Sequence, residues 1–443
     1  MHNDKKRKEI RRKRIVIIGA GAAGLMAACA AADAGASVTV LEKTEKAGKK
    51  VYITGKGRCN LTNACDIQEF WTHIVSNPKF LYSAVYGFDA QQMMGFMEEN
   101  GCPVKTERGD RVFPVSDHAS DVTKALLEHS RKRNVQFRYH CPVARILTQE
   151  KDGVKGVTGV ELTSGEIVDA DAVILAVGGK SYPSTGSEGD GYRIAKELGI
   201  GVVTPAPSLV PIRTGESWCS DLQGLSLKNV ELTVERPVEE SGKKKKKPLY
   251  KGFGEMLFTH FGVSGPLVLT ASCYMDFNKN PGGYKLHINL KPALTQEQLE
   301  NRLRREIEAA PAKKLAGVIR PLFPARLAEV IADLSGLRDR TGASLNTKEI
   351  AGLASLIRAV PITAQGSRGF AEAIVTRGGL DVKAFDPSTM KCKSIEGLYA
   401  AGEVLDVDAH TGGFNLQIAW STGRLAGESA AQEESAGGYS ADL

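Results

Sequence analysis

The segment at residues 15–42 reads IVIIGAGAAGLMAACAAADAGASVTVLE, and it decides the fold of the first part of the chain. Its pattern predicts an apolar strand at 15–18, an Ala-rich helix over 22–34 that ends at Gly35, and a second strand at 37–41. A strand, a helix and a parallel strand in this order form a βαβ unit. The segment therefore predicts the opening of a dinucleotide-binding domain.

Three glycines in this segment have the GxGxxG spacing between strand and helix. Gly19 allows the tight turn, Gly21 lets the backbone approach a pyrophosphate at the helix N-terminus, and Gly24 lets the helix pack on the strand. Glu42 follows Gly19 by 23 residues and can accept hydrogen bonds from the adenosine ribose hydroxyls. Because a carboxylate there repels a 2'-phosphate, the segment predicts FAD or NAD and excludes NADP.

Composition excludes several other classes of protein. The chain has 443 residues, of which 42% are hydrophobic and 25% charged, as in ordinary globular proteins. Its eight cysteines show neither CxxC pairs nor zinc spacing, so we expect no metal, no disulfide framework and a cytoplasmic location. The apolar run at 15–32 superficially resembles a secretory signal, but its glycines have the dinucleotide-binding spacing. No other stretch has the roughly 18 apolar residues of a membrane span.

The net charge of +7 is concentrated in two basic runs. Residues 1–14 contribute +6 and residues 243–247 contribute +5, which leaves −4 for the rest of the chain. An RNA or another polyanion would therefore have to bind these two runs, because the body as a whole is not basic. We favour the interpretation that the two basic runs are a flexible tail and a surface loop that bind no partner.

A second glycine-rich region near the C-terminus selects FAD. The stretch at 397–403 reads GLYAAGE, and TGGFNLQ follows at 411–417 before another predicted helix. This pattern resembles the second fingerprint of FAD enzymes, in which Gly-Asp at a strand end meets the pyrophosphate and ribityl chain. Gly402 matches that glycine, whereas Glu403 stands where most FAD enzymes have Asp, so its longer side chain would reach the ribityl chain by a different path.

Further stretches resemble the signatures of one family. GKKVYITGKGRCNLTN at 48–63, GEMLFTHFGVSGP at 254–266 and VGGKSYP at 177–183 are similar to the motifs of HI0933-like flavoproteins. The resemblance extends from about residue 14 to 428 and implies an FAD-dependent oxidoreductase. It also implies NAD(P)H as an electron donor that visits the flavin transiently, since the chain has only one predicted dinucleotide fold.

The activities attributed to members of this family leave several substrates open. They include reduction of 3-dehydro-bile acids, oxidation of aminoacetone, and reduction of a uridine in large-subunit ribosomal RNA. The first and third deliver a hydride to the β-carbon of a conjugated carbonyl compound, and an acid then protonates the α-carbon. A non-enzymatic flavin-bearing scaffold is the remaining alternative.

Among these we expect reduction of a steroid enone, a 3-oxo bile-acid 4-ene or 4,6-diene, either free or as its CoA thioester. The charge of −4 on the body offers no broad RNA-binding surface. Apolar side chains of the middle region are expected to line a hydrophobic pocket for this small-molecule substrate: Phe253, Leu257, Phe258, Phe261 and Leu267.

The predicted site combines a catalytic set with a cofactor set. Arg58, together with the backbone amides of 55–63, is expected to hold the substrate carbonyl oxygen, and His260 or Tyr182 to donate the proton. Cys59 is a weak candidate nucleophile, since no neighbouring base is identifiable. The predicted cofactor-binding residues are Gly19, Gly21, Ala22, Ala23, Gly24, Glu42, Lys43, Lys50, Gly57, Arg58, Cys59, Asn60, Val143, Gly178, Gly402, Glu403, Gly413, Phe414 and Asn415.

The predicted fold class is α/β: a Rossmann-like FAD-binding domain with an inserted β-rich, barrel-like subdomain and a small helical subdomain. Within the first part, Ser116 or Asp117 is expected to cap a helix that ends near Arg133. The sequence sets no oligomeric state. The predicted ranges are a basic tail at 1–13, the FAD-binding domain at 14–204 and 367–431, the β-rich substrate domain at 205–292, the helical subdomain at 293–366, and a flexible tail at 432–443.

Overall fold

The computed structural model describes residues 12–237 and 247–432. Most of the two basic runs and nearly all of the predicted C-terminal tail therefore lie outside the described residues. The chain divides into two compact units. The first unit consists of residues 1–206 and 375–443, and the second unit of residues 207–374.

From residue 12 to β11, the described part of the first unit contains ten strands and seven α-helices. In chain order they are β1 (Arg14–Ile18), α1 (Ala22–Asp33), β2 (Ser37–Leu41), α2 (Lys49–Ile53), β3 (Thr62–Asn63), α3 (Ile67–Thr72), α4 (Tyr82–Gly87), α5 (Ala90–Glu99), β4 (Val104–Glu107), β5 (Arg111–Pro114), α6 (Ala119–Lys132), β6 (Gln136–Arg138), β7 (Val143–Lys151), β8 (Val154–Leu162), β9 (Ile167–Asp169), β10 (Ala172–Leu175) and α7 (Asp190–Glu197).

The strand β11 (Val202–Ser208) leads into the second unit. The elements of the second unit are β12 (Ile212–Thr214), α8 (Trp218–Asp221), β13 (Ser226–Val234), β14 (Tyr250–Thr259), β15 (Gly262–Ser264), α9 (Pro266–Ser272), β16 (Tyr284–Asn289), α10 (Gln296–Ala309), α11 (Leu315–Val318), α12 (Ala325–Leu334), α13 (Thr347–Arg358) and β17 (Val360–Ser367). The chain then returns to the first unit with β18 (Val375–Leu380), β19 (Leu398–Ala400) and α14 (Phe414–Gln432).

A five-stranded parallel sheet forms the centre of the first unit, with strand order β19-β10-β1-β2-β6. The central strand β1 is apolar after Arg14, and its neighbour β10 is apolar throughout, because both faces of the sheet are buried there. The predicted strands at 15–18 and 37–41 and the predicted helix at 22–34 agree with β1, β2 and α1 to within one residue. The predicted Rossmann-like α/β fold is confirmed.

Helices α1 and α14 approach each other closely because glycines form the contact. A Cβ atom at Gly423 would lie 2.3 Å from the carbonyl oxygen of Ala23, and one at Gly427 would lie 2.4 Å from that of Ala27. No side chain larger than hydrogen fits either position unless a helix moves. This contact holds the long C-terminal helix against the first helix of the βαβ unit.

The second unit contains a closed six-stranded antiparallel barrel, with strand order β12-β15-β14-β13-β16-β17. Buried side chains fill it, among them Leu232, Phe258 and Leu286. Helices α10 to α13 come between β16 and β17 in the sequence. Strand β17 lies almost wholly in the range predicted to be helical. It closes the barrel by pairing with β12 and β16, which are distant in the sequence, so no local pattern marks it as a strand.

We predict that Gly423→Ala lowers the stability of the first unit. The added methyl group meets backbone instead of a flexible side chain, and overpacking of this kind costs ~1–3 kcal/mol. Gly95→Ala is the matched control, because Gly95 lies in α5 with no atom within 4 Å of the added methyl group. Alanine there favours the helix by roughly 0.5–1 kcal/mol. Thermal unfolding of both variants checks this, and equal midpoints would contradict the described contact between the helices.

Candidate functional site

The glycine turn at the start of α1 has the geometry that a dinucleotide requires. Gly19 has a φ of +99°, and a Cβ at Gly24 would lie 1.9 Å from the carbonyl oxygen of Gly19. A Cβ at Gly21, in contrast, would meet no atom within 4 Å. Open space therefore lies in front of α1, and no side chain caps its N-terminus. A pyrophosphate fits here, because its oxygens can accept from the uncapped amides.

Glu42 follows β2 and faces the same turn. Its carboxylate accepts hydrogen bonds from the backbone amide of Ala20 at 2.9 Å and from the amide and hydroxyl groups of Thr44 at 2.8 Å. The neighbouring Lys43 pairs with Glu188 and Asp190 at 2.6 and 2.7 Å. Glu42 thus lies beside the cradle in front of α1, and the ammonium group of Lys43 is held by two carboxylates.

A polar cluster surrounds Glu403 at the end of the strand β19. The Glu403 carboxylate accepts from the Lys50 ammonium group at 2.7 Å, the Ser181 hydroxyl group at 2.7 Å and the Thr376 amide at 3.0 Å. Lys50 also donates to Ser181 at 2.6 Å. The preceding residue, Gly402, has a φ of +76°, and a Cβ there would lie 2.7 Å from the Cβ of Ala23. This cluster and the N-terminus of α1 are therefore neighbours.

The two motifs quoted at 48–63 and 411–417 pack against each other. The Thr62 hydroxyl group donates to the Gln417 side chain at 2.6 Å, and the Asn63 amide donates to the carbonyl oxygen of Gly412 at 3.0 Å. Gly413 has a φ of +103°, and a Cβ there would lie 2.3 Å from the carbonyl oxygen of Thr62. The structure therefore brings the GRCNLTN motif to the N-terminal end of α14.

The first two residues of α14, Phe414 and Asn415, have side chains that are held by neighbouring residues. The ring of Phe414 is buried and stacks on His73, with ring centres 4.2 Å apart. The side chain of Asn415 bonds to backbone atoms of Ala409 and His410 at 2.8 to 3.1 Å, so it fixes the preceding loop. The predicted role of Asn415 as a cofactor-binding residue therefore depends on its backbone.

One buried polar atom in the GRCNLTN motif has no partner. The side-chain oxygen of Asn60 is buried and makes no hydrogen bond in the described part of the chain. Such an atom costs about 1–3 kcal/mol unless a ligand or water completes it. The adjacent Cys59 is fully buried, and burial raises the pKa of its thiol to about 12. The thiol is therefore neutral at physiological pH, which leaves it without the reactivity of a nucleophile.

Arg58 belongs to a cluster of charges. Its guanidinium donates to both carboxylate oxygens of Glu107 at 2.7 and 3.1 Å and to Asp117 at 3.1 Å. It also lies 4.0 Å from the ring centre of Phe113, and Lys105 donates to Asp117 at 2.8 Å. Two carboxylates therefore compensate the charge of Arg58, the residue that the sequence analysis expects to hold the substrate carbonyl oxygen.

The two predicted proton donors lie in different units. Tyr182, in the first unit, is half-buried and has a φ of +51°, which is uncommon for a residue with a side chain. His260, in the second unit, is exposed at the turn between β14 and β15, and its ring packs edge-on against Phe261. A histidine in this apolar stretch has burial among its neighbours as an alternative role. His260 does not have that role, because it is exposed.

The other predicted cofactor residues all lie in the first unit. Ala22 and Ala23 form the first turn of α1, Gly57 lies in the 3₁₀ helix after α2, Val143 begins β7, and Gly178 follows β10 with a φ of +72°. None of the described residues form a cluster of three or more His, Cys, Asp or Glu side chains able to hold a metal ion.

Sequence reasoning missed several residues around the site. Thr376, Ser181 and Gln417 contribute to the two polar clusters, and His73 contacts His410 beside Phe414. A signal existed only for Ser181 and Gln417, which lie inside the quoted family motifs. Thr376 and His73 lie outside any motif, and their partners in the site come from distant parts of the chain.

Fold and site together define a dinucleotide-binding flavoprotein with a Rossmann-like domain. The sequence matches the HI0933-like protein Rossmann domain over residues 13–429, and the chain belongs to this family. FAD is the cofactor, and the protein is an FAD-dependent oxidoreductase. The cradle at Gly21, the uncapped α1 and the unpartnered oxygen of Asn60 fit that cofactor.

Several relatives match nearly the whole chain, and two of them have different named activities. The chain is 31% identical to the "Ribosomal RNA dihydrouridine synthase" of Escherichia coli, over 92% of this chain and 95% of that protein. It is also 31% identical to the "3-dehydro-bile acid delta(4,6)-reductase" of Clostridium scindens, over 95% of this chain and 99% of that protein.

Among solved structures, the chain resembles the 3-ketosteroid-Δ4-(5α)-dehydrogenase of Rhodococcus jostii RHA1. The TM-score is 0.47 at 17% identity, over 96% of this chain and 99% of that one.

Within the described residues, no helix is both long enough and apolar enough to cross a membrane.

We predict that Gly21→Val yields protein without FAD. The side chain would project into the space that the pyrophosphate needs, and it meets no protein atom there, so the apoprotein should still fold. The flavin absorbance per protein after purification measures the loss, and circular dichroism checks the fold. Gly95→Ala should keep a full complement of flavin. A yellow Gly21→Val protein with one FAD per chain would refute this location of the pyrophosphate.

Proposed function

We propose that the protein reduces a carbon–carbon double bond conjugated to a carbonyl group, with NAD(P)H as the electron donor. The observation that carries the proposal is the pair of relatives at 31% identity, because their named activities both reduce such a bond. FAD, when bound, supplies the hydride. The residues of this chain hold the carbonyl compound, exclude water and deliver a proton to the α-carbon.

The charge distribution favours a uridine in RNA as the substrate. Residues 207–374 contain 24 Lys and Arg against 17 Asp and Glu, a net charge of +7. Residues 15–206 and 375–443 contain 26 against 32, a net charge of −6. Five of the 24 basic residues are the run at 243–247, which the charge of −4 left out; without that run residues 207–374 carry +2, and +2 with −6 gives the −4. The basic run at 243–247, on a part of the chain that is itself slightly basic, supplies the electrostatic attraction that nucleic acid binding needs.

A steroid enone is the second candidate, and the Clostridium scindens relative supports it. The apolar residues expected to form its pocket have different surroundings: Phe258 and Leu267 are buried in the core of the second unit, whereas Phe253 is 64% exposed. They therefore do not form one apolar wall. We place the enzyme in the cytoplasm, where its eight free thiols would stay reduced.

The proposed roles start from the loop at 55–63. Its backbone amides hold the carbonyl oxygen as that atom gains negative charge. Because Glu107 and Asp117 already occupy the guanidinium of Arg58, we propose that Arg58 acts by ordering this loop. Tyr182 and His260 remain proposed proton donors.

The test begins with protein whose FAD has been reduced under anaerobic conditions, once with NADH and once with NADPH. The reduced protein is then mixed with a uridine-bearing ribosomal RNA fragment, a 3-oxo-4-ene steroid, aminoacetone or oxygen. We expect rapid reoxidation by the RNA with formation of dihydrouridine, measured by flavin absorbance and mass spectrometry of the nucleosides.

Each other outcome contradicts part of the proposal. Reoxidation by the steroid alone, with the saturated ketone as product, would replace the RNA with the second candidate. Oxidation of aminoacetone, without reduction of either double bond, would make the protein an amine oxidase. Flavin that neither NADH nor NADPH reduces, and that passes no electrons to any of these compounds after dithionite reduction, would indicate a non-enzymatic scaffold.

We predict that Arg58→Ala and Glu107→Gln lower turnover to a similar extent. Both variants break the same cluster, so an indirect role through the loop affects them alike. A guanidinium that acts directly on the developing oxyanion would behave differently, since its loss costs ~10²-fold or more. A loss of that size in Arg58→Ala, with Glu107→Gln at the wild-type rate, would contradict the indirect role. Turnover per bound FAD is the quantity to compare.

A further inference from the structure

Three aromatic side chains meet on the surface of the first unit. Trp71 lies on α3, whereas Tyr82 and Tyr86 lie one turn apart on α4. The ring centres of Trp71 and Tyr82 are 4.6 Å apart, and the indole N–H of Trp71 donates to the hydroxyl oxygen of Tyr86 at 3.3 Å. Tyr82 is 43% exposed and Tyr86 is 56% exposed. Single exposed rings are ordinary on a protein surface, but these three form one aromatic patch.

The aromatic patch adjoins the N-terminal end of α14, which belongs to the predicted flavin site. The buried ring of Phe70 has its centre 5.3 Å from that of Trp71 and 5.7 Å from that of Phe414. Phe414 is the first residue of α14, and it follows Gly413, which lies against the GRCNLTN motif. One buried ring therefore separates the patch from the first residue of α14.

A turn with two exposed arginines adjoins the loop before α14. Arg108 and Arg111 lie at the turn between β4 and β5, and both are exposed. The side-chain amide of Asn63 donates to the carbonyl oxygen of Gly109 in this turn at 3.1 Å and to that of Gly412 at 3.0 Å. Asn63 therefore holds the arginine turn against the same loop that leads to Phe414.

The two arginines keep their charge available to a ligand. Neither guanidinium is paired with a carboxylate among the described residues, in contrast to the guanidinium of Arg58. Asp110 is the acid between them, so the turn from Arg108 to Arg111 has a net charge of +1. The first unit is acidic as a whole, so a polyanion can bind it only where such cations lie together.

The chemistry of a uridine in RNA requires contacts of both kinds. A base that is to react must first leave its stack, because its double bond has to face the flavin. Its neighbours in the RNA then lose a stacking partner, which weakens binding unless the protein offers another surface. Aromatic side chains stack with any base, and arginine pairs with the phosphates between the bases.

We propose that the aromatic patch and the two arginines bind the single-stranded RNA on either side of the uridine. This inference rests on the proposed function, since it gives that substrate a binding surface beyond the reacting base. A second copy of this chain is another occupant that an aromatic patch fits. The arginine turn at the same loop favours a polyanion instead.

The first test measures RNA affinity and needs no turnover. The protein with oxidised FAD is titrated against a fluorescein-labelled fragment of large-subunit ribosomal RNA that carries the uridine in a single-stranded loop. We expect Tyr82→Ala and Tyr86→Ala each to weaken binding by roughly 5- to 150-fold, measured by fluorescence anisotropy. Ile167→Ala is the matched control, because it removes another apolar side chain of the first unit that is 59% exposed.

The arginines are tested by the dependence of binding on salt. Arg108→Gln and Arg111→Gln should each weaken binding and lower the slope of log Kd against log salt concentration by about 0.7, because each loses one phosphate contact. The tyrosine variants should keep the slope of the wild type, since stacking releases no counterions. A slope unchanged in both arginine variants would remove the arginine turn from the surface.

Tryptophan fluorescence reports on the aromatic patch directly. The chain has three tryptophans, and Trp420 is fully buried. We expect the RNA fragment to change the tryptophan emission of the wild type, and we expect Trp71→Phe to lose that change. A change of full size in Trp71→Phe would contradict contact between the RNA and the patch.

The outcomes separate this surface from the function on which it rests. If the variants weaken binding as expected but the wild type forms no dihydrouridine, the proposed function fails and the surface stands. If the wild type forms dihydrouridine and both tyrosine variants bind like Ile167→Ala, the surface is wrong. Failure of the wild type to bind the RNA, or loss of FAD from the tyrosine variants, also overturns it. A dimer that Tyr86→Ala dissociates, with unchanged RNA affinity, would assign the patch to a second copy.

Discussion

Direct contact between backbones fixes the N-terminal end of α1. Gly24 lies against the carbonyl oxygen of Gly19, Gly402 lies against Ala23, and Gly423 lies against the carbonyl oxygen of Ala23. Because the interior is close-packed, a methyl group at any of these glycines forces a strand or a helix to move. The uncapped amides of α1 therefore stay at one place between the end of β19 and α14. The cradle for the dinucleotide depends on this placement.

The Glu403 cluster complements those apolar contacts with charge. A half-buried carboxylate is stable only when donors replace its water shell, and Lys50, Ser181 and Thr376 do so. These donors come from α2, from the loop after β10 and from β18. One side chain thus ties the end of β19 to three other segments. These hydrogen bonds give Glu403 a structural role in addition to its expected contact with the ribityl chain.

The βαβ unit could be predicted because its signals are local. The glycine spacing, the Ala-rich helix and the apolar strands all lie within 15–42, and the structure follows them closely. The expected helix cap at Ser116 or Asp117 was wrong: His118 occupies the N-cap position of α6 without a side-chain cap. Asp117 instead has a φ of +58° and binds Lys105 and Arg58. Arg58 lies 59 residues away, so no local pattern could predict that pairing.

Burial explains the protonation state of two titratable groups in or beside the two packed motifs, Cys59 and His410. It raises the pKa of the Cys59 thiol and lowers that of the His410 imidazole, because removal of water disfavours whichever form is charged. An acid that stays charged beside the substrate would first have to be desolvated, which opposes binding of an apolar ring or base. A neutral side chain avoids this cost, because it has no charge that must lose its water shell. A site that excludes water therefore favours titratable groups that burial keeps neutral, as it does Cys59 and His410.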